Sequence, residues 1–346
     1  MSTETVERAG AGGEEKEEVV HDPRRARLPS FHALRLDRFS GICVWALFIG
    51  IYAIWVPGTF LRGSTAQSIA STQAVTGFVA LGVTCAMAAG ALDLSFANTT
   101  SLSSTFAASL MANSHVPVVP TIGLTLLLGV GIGLVNAFVV VKIGVSSIVA
   151  TLGMSSVIIA IEEKIGGEQF ITGMPSSFTK ITSPQPLGVP IIVVYLLLAA
   201  AFVWYLLEHT ATGRRMYATG ANLEASRLAG IATGRMTTYA LVASSTLASI
   251  AGLLVLSQIG SGSPEVGTGY LLPVFAAVFL GSTQLKPGRF NAWGTVLAIY
   301  LLATGVKGLQ LAGGKAWVTD LFNGLALLLA VSVAVNGQRR IRRGGE

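Results

Sequence analysis

Between Arg62 and Lys142 the chain runs for 79 residues with one formal charge, Asp93. A helix crosses the roughly 30 Å hydrocarbon layer of a bilayer in about 20 apolar residues, so this stretch has room for several crossings. Further uncharged runs follow at 181–207, 236–264, 266–285, 290–306 and 321–338. Of the 346 residues only 12% are charged and 52% are hydrophobic. A soluble globular chain carries about 25% charged residues, and half that share leaves too little polar surface to face water. Within lipid the backbone must satisfy its own hydrogen bonds, and the strand periodicity of an outer-membrane barrel is missing. The expected fold class is therefore an all-α polytopic membrane protein of about ten transmembrane helices, some discontinuous.

The ten spans are expected at 41–56, 65–90, 95–111, 116–141, 147–161, 189–207, 236–259, 271–285, 291–306 and 317–335. Before them lies a polar tail over residues 1–40, then a transmembrane domain over 41–336 and a basic tail over 337–346. The first 22 residues hold seven acids and two bases, a composition that predicts disorder. The first apolar run starts near Gly41, later than the core of a signal peptide, and reads as a retained span. Ten crossings put both termini on one side. With that side cytoplasmic, sixteen flanking Lys and Arg residues fall inside and five outside, the asymmetry that sets orientation. The same clustering beside apolar runs accounts for the net charge of +6 and removes any need for nucleic acid as a partner; the expected surroundings are membrane lipid. Cys43 and Cys85 sit inside apolar segments and read as reduced packing residues.

Asp93 draws attention because a carboxylate at membrane depth costs a few kcal/mol on insertion scales. Its context, "GALDLSFANTTSLSS", suits a broken helix whose new N-terminus is capped by Asp93 or Ser95. Asp93, Ser95, Asn98 and Thr151 are the candidates near a translocation path; the alternative is that Asp93 merely caps a helix. A second feature is the hydrophilic stretch 208–235, expected to face inward. There Asn222 can cap a short helix over 223–229 with Glu224 and Arg227 at i,i+3 on one face, and Leu223, Leu228 and Ile231 as an apolar patch. Such an amphipathic surface helix is a docking feature for a soluble partner; a solvated loop is the plainer alternative. Gly129, Gly131 and Gly133 suggest close helix approach, and the eighth and ninth spans, bent around Pro287 and Gly288, read as discontinuous helices. Spans two to five and seven to ten suggest an inverted internal repeat. The sequence contains no GxxxxGK[ST] phosphate loop, no HExxH and no GxSxG. An enzyme is disfavoured, with no catalytic residues and no metal site expected.

At these motifs the sequence resembles the permease subunits of bacterial ABC importers of the ribose, xylose and galactose class. The family's G-[IL]-D-L-S motif is matched by Ala91, Leu92, Asp93, Leu94 and Ser95, with Ala91 for the glycine, and its A-T-L-G motif by Ala150–Met154. Its cytoplasmic signature is matched by Gly213, Tyr217, Ala218, Gly220, Asn222, Ala225, Arg227, Leu228, Gly230 and Ile231, with Ser226 for an alanine. The stretches "GSGSPEVGTGY" and "FLGSTQLKPGRFNAWGT" are similar to the family's later glycine-rich region, with Ser282 for a glycine. The resemblance spans about residues 45–335. It implies a monosaccharide permease of the bacterial inner membrane that pairs with a second permease copy or a sister permease. It also implies a separate ABC ATPase subunit, using ATP and Mg, that docks on the 213–231 loop, and an extracytoplasmic sugar-binding protein that delivers solute. No cofactor is implied in this chain. The ATPase-coupling loop is then Gly220, Asn222, Glu224, Ala225, Arg227, Leu228, Gly230 and Ile231. The rival from another class is an ion-coupled secondary transporter using Asp93 as a proton or sodium site; a non-transporting membrane scaffold is a third.

Overall fold

The computed structural model describes residues 36–343 apart from residue 168, with side chains placed over 41–333 except at 168 and 316. Most of the acidic leader and the last three residues of the basic tail lie outside the described residues. All geometry below belongs to the unit that begins at Asp37.

The described residues are almost entirely helical. In chain order the helices are α1 (Leu36–Trp55), α2 (Pro57–Phe60), α3 (Gly63–Ala88), α4 (Phe96–Ala112), α5 (Val118–Ala137), α6 (Ser147–Gly166), α7 (Ser176–Thr179) and α8 (Ile191–His209). After these come α9 (Ala211–Ala221), α10 (Leu223–Leu228), α11 (Thr233–Ile259), α12 (Leu271–Gly281), α13 (Ala292–Leu311) and α14 (Ala316–Arg343). Every one of the ten expected spans coincides with a helix. Five stretches, Gly63–Ala88, Val118–Ile143, Ile191–His209, Thr233–Ile259 and Ala292–Leu311, are long and apolar enough to cross a membrane unaided. Others are shorter or carry more hydroxyls, and α6 ends on Glu162, Glu163 and Lys164; their place in the bilayer depends on neighbours.

The bundle is built around α11, which packs against α3, α4 and α5. Sequence explains the closeness. A Cβ on Gly133 would lie 2.6 Å from the Val242 Cα, and one on Gly129 would meet the Ser249 side chain at 2.2 Å, so α5 and α11 touch backbone to backbone. Gly131, between them, faces open space and takes no part in that contact, because only positions four apart share a helix face. Hydroxyl pairs then tie the helices laterally: Ser103 to Ser249 at 2.8 Å and Thr84 to Thr295 at 3.0 Å. With lipid as apolar as leucine, small residues and polar contacts of this kind hold such helices together.

The two halves share an element order. A long helix (α3, α11) leads into an irregular segment, then a short helix (α4, α12), then two more, and α4 packs on α5 and α6 as α12 packs on α13 and α14. The eighth span is truncated as expected: α12 has 11 residues, about 16 Å at 1.5 Å per residue. The ninth is not. Helix α13 runs unbroken for 20 residues from an Asn291 cap, whose Oδ1 accepts the Gly294 N–H at 2.7 Å. Pro287 and Gly288 fall in the turn between the two helices rather than inside α13, so they interrupt nothing there.

Candidate coupling and passage site

Between α3 and α4 the chain leaves helical geometry at Gly90 (φ +78°) and has no regular secondary structure over residues 91–94. A buried backbone outside a helix has hydrogen bonds to find elsewhere, and each unpaired buried N–H costs about 1–3 kcal/mol. Helix α6 supplies the partners from one face. Ser147 Oγ accepts the Leu92 N–H at 3.0 Å, Thr151 Oγ1 accepts the Leu94 N–H at 3.0 Å, and Ser155 Oγ donates to the Leu94 carbonyl at 3.3 Å. Positions four apart lie one above another on a helix, so three hydroxyls at 147, 151 and 155 line one face toward residues 92–94.

Asp93 is fully buried. Its Oδ1 accepts from the Ser95 N–H at 2.9 Å and from the Ser95 hydroxyl at 2.7 Å, closing a turn at the N-terminus of α4. The Asn136 amide of α5 in turn donates to Ser95 Oγ at 2.9 Å. The carboxyl group also lies at the positive end of the α4 dipole. The Ser244 hydroxyl of α11 faces the same carboxyl group, and Asn136 Oδ1 is buried without a partner among the described residues. Asn98, one turn into α4, is half-buried and makes no side-chain hydrogen bond among the described residues.

On the far side of Gly90 lies the segment 208–235. Thr210 caps α9 by accepting the Gly213 N–H at 3.1 Å, and Asn222 caps α10 by accepting the Ala225 N–H at 3.0 Å. Glu224 and Arg227 pair at 3.0 Å on the exposed face of α10, and Arg227 Nε also reaches Thr233 Oγ1 at 3.3 Å. Leu228 is 90% exposed at the tip. Helix α9 is pinned to the turn before α13: the Tyr217 hydroxyl donates to the Phe290 carbonyl at 2.5 Å, with the Arg289 guanidinium 4.0 Å from its ring centre. Burial pushes the Tyr217 phenol up to about 12, against the opposing pull of the Arg289 charge, so it stays a donor. Glu208 at the end of α8 pairs with Lys286.

The two regions meet at a pair of glycines. A Cβ on Gly220 would stand 2.5 Å from the Ala88 carbonyl oxygen and 2.9 Å from the Gly90 nitrogen, and one on Gly90 would stand 3.0 Å from the Gly220 Cα. The end of α9 thus rests backbone on backbone against the end of α3. Around the crossing is a cavity of about 430 Å³ bounded by residues 89–91, 144–147 and 219–223 and by Thr233 and Thr237.

The structure therefore gathers Asp93, Ser95 and Thr151 at one helix break, leaves Asn98 beside it, and holds Gly220, Asn222, Glu224, Ala225 and Arg227 in one capped turn below it. Gly230 (φ +78°) and Ile231 close α10, with the Ile231 N–H donating to the Ser226 carbonyl at 3.0 Å. Sequence reasoning passed over Ser147, Ser155 and Asn136. The first two were legible as hydroxyls at i−4 and i+4 from Thr151; Asn136 lies on another helix and carried no local signal.

Residues 65–331 match the family described as "Branched-chain amino acid transport system / permease component". The autoinducer 2 import system permease protein LsrD of Yersinia enterocolitica is 30% identical over 261 residues, 74% of this chain and 78% of that protein. LsrD of Photorhabdus laumondii is 30% identical over 262 residues with the same shares, and LsrD of Yersinia pseudotuberculosis is 29% identical over 261. No solved structure matches. With a helical bundle that crosses the membrane several times and a family match over most of its length, the chain belongs to the permease components of this transport-system family.

Proposed function

We propose that this protein forms the membrane passage of an ATP-driven importer for a monosaccharide or related polyol. A separate ABC ATPase subunit grips α9–α10 from the cytoplasm, where both termini also lie. An extracytoplasmic binding protein delivers the solute, and a second permease copy or a sister permease completes the passage. The import role of the LsrD relatives supports the direction of transport.

The observation that carries the reading is the Gly90–Gly220 crossing. An exposed, charged, capped turn has no reason to press its backbone into the one point where α3 stops being helical unless movement of one is to be felt by the other. Only a partner that binds two conformations unequally can shift their populations, and an ATPase changing shape with its nucleotide is such a partner. Ser95 and Thr151 have their hydrogen bonds committed to holding the break and Asp93 is fully buried beside them, whereas Asn98 is half-buried with a free amide and is the residue of the four we assign to meet solute.

Reconstitution in liposomes tests this. The chain, its ATPase and its binding protein should accumulate D-ribose, D-xylose or D-galactose only with ATP. Uptake driven by a proton or sodium gradient with no ATPase present would overturn the reading in favour of the ion-coupled one.

A further inference from the structure

A second cavity, of about 360 Å³, opens at the opposite end of the bundle from α9–α10. It lies among the first half of α3, the approach to α12, the last turns of α13 and the first turns of α14. Six side chains give it its character: Gln73, Thr76, Tyr270, Lys307, Asp320 and Asn323. None has a side-chain hydrogen bond or ion pair among the described residues, although Thr76 is only 3% exposed and Asn323 only 7%. Their polar atoms open into the cavity rather than being sealed in the packing, and three helices together with the turn before α12 contribute polar groups to this one space. Packing alone does not ask for that.

The chemistry of the lining selects an occupant. An ammonium offers donors only, a carboxylate accepts only, and the two amides do both; Lys307 and Asp320 cancel in charge and do not pair with each other. A ligand that suits all of them carries several groups that each donate and accept, and no net charge. Tyr270 adds an apolar ring to cover a carbon face, the mixture usual in small-molecule sites. The volume sits near the lower end of the roughly 300–1,000 Å³ range for such sites, enough for one sugar ring and not for a chain of them. We propose that this cavity is a binding site for a neutral monosaccharide held within a single protomer, at the side from which solute enters; that last placement rests on the transport reading above.

Saturation-transfer NMR on the purified chain in detergent, with D-ribose, D-xylose and D-galactose as probes, decides it. At least one sugar should receive saturation, and the signal should fall by about tenfold or more when partners are removed in Lys307→Met and when the space is filled in Asn323→Phe. Leu198→Ala, an exposed side chain of α8 outside the lining, should leave it unchanged. Lys307→Met keeps the test valid where Asn323→Phe does not elute as a folded, monodisperse protein. No transfer to any of the three sugars, or transfer undiminished in Lys307→Met, overturns the site. ATP-dependent uptake that proceeds without such binding removes the cavity and leaves the transport reading standing. Specific transfer in a chain whose complex shows no ATP-dependent uptake does the reverse.

Discussion

Thr151 shows how one hydroxyl can matter more than the charge beside it. Its Oγ1 receives the Leu94 N–H at 3.0 Å while donating back to the Ser147 carbonyl at 2.8 Å, so it serves the helix break and its own helix at once. Thr151→Val keeps the shape and leaves the Leu94 amide with nothing to bond. The expected cost is about 1–3 kcal/mol, seen as a lower midpoint in thermal unfolding of the detergent-solubilised protein. Asn98→Ala should behave oppositely, because its amide holds nothing in place. Its stability should stay within about 0.5 kcal/mol of wild type while ATP-driven uptake falls. A matched loss of stability in both variants would show that Asn98 is structural too. The sequence exposed Asp93 through its solitude and Thr151 through its neighbours, but it could not divide the four candidates into holders and a free group. That division depends on where α6 lies against residues 91–94, a contact between positions 55 to 61 apart in the chain.

Among the elements, α10 was legible because its signals are local: Asn222 at the cap and a Glu224–Arg227 pair one turn apart; α9, capped by Thr210, lay within a stretch read only as hydrophilic. The contact of α9 with α3 was not legible, since nothing local tells that Gly220 must stay bare to meet Ala88. The same limit explains α13, where turn-forming Pro287 and Gly288 suggested a broken span but lie wholly before its Asn291 cap. Gly220→Leu puts carbon where the Ala88 carbonyl now sits 2.5 Å from a hypothetical Cβ. The complex should still assemble and hydrolyse ATP while solute uptake is lost, whereas Gly131→Ala, with open space around its Cβ position, should keep the two coupled; tight coupling in Gly220→Leu would remove the crossing from the mechanism. Helix α9 also gives a pH signature. The Tyr217 phenol, raised from 10.0 to about 12 by burial, keeps its proton in the fold after the unfolded chain has lost it. Its stabilising contribution is whole below pH 10 and declines as pH rises from there through about 12. Thermal unfolding midpoints should therefore fall less steeply across that window in Tyr217→Phe than in wild type, from a lower starting value because the bond to the Phe290 carbonyl is gone.

For the molecule as a whole, the strongest sequence statement is also the one most open to direct measurement. Charge sparsity forced a membrane bundle, and helices occupy all ten expected spans; which end faces the cytoplasm was read only from where Lys and Arg cluster. Residues of opposite fate are available at both ends. Leu187 lies fully exposed in the turn before α8, and Leu228 is 90% exposed at the end of α10, with the crossing α8 between them. Because Cys43 is exposed and Cys85 buried, Cys43→Ser supplies a quiet background in which a single introduced thiol reports its side. In intact cells a membrane-impermeant maleimide should label Leu187→Cys and spare Leu228→Cys until the membrane is permeabilised. Labelling of both from outside would mean that α8 does not cross. The reverse pattern would place α9–α10 outside the cell, out of reach of any nucleotide-driven partner, and the proposed grip on Gly220 would have nothing to hold it.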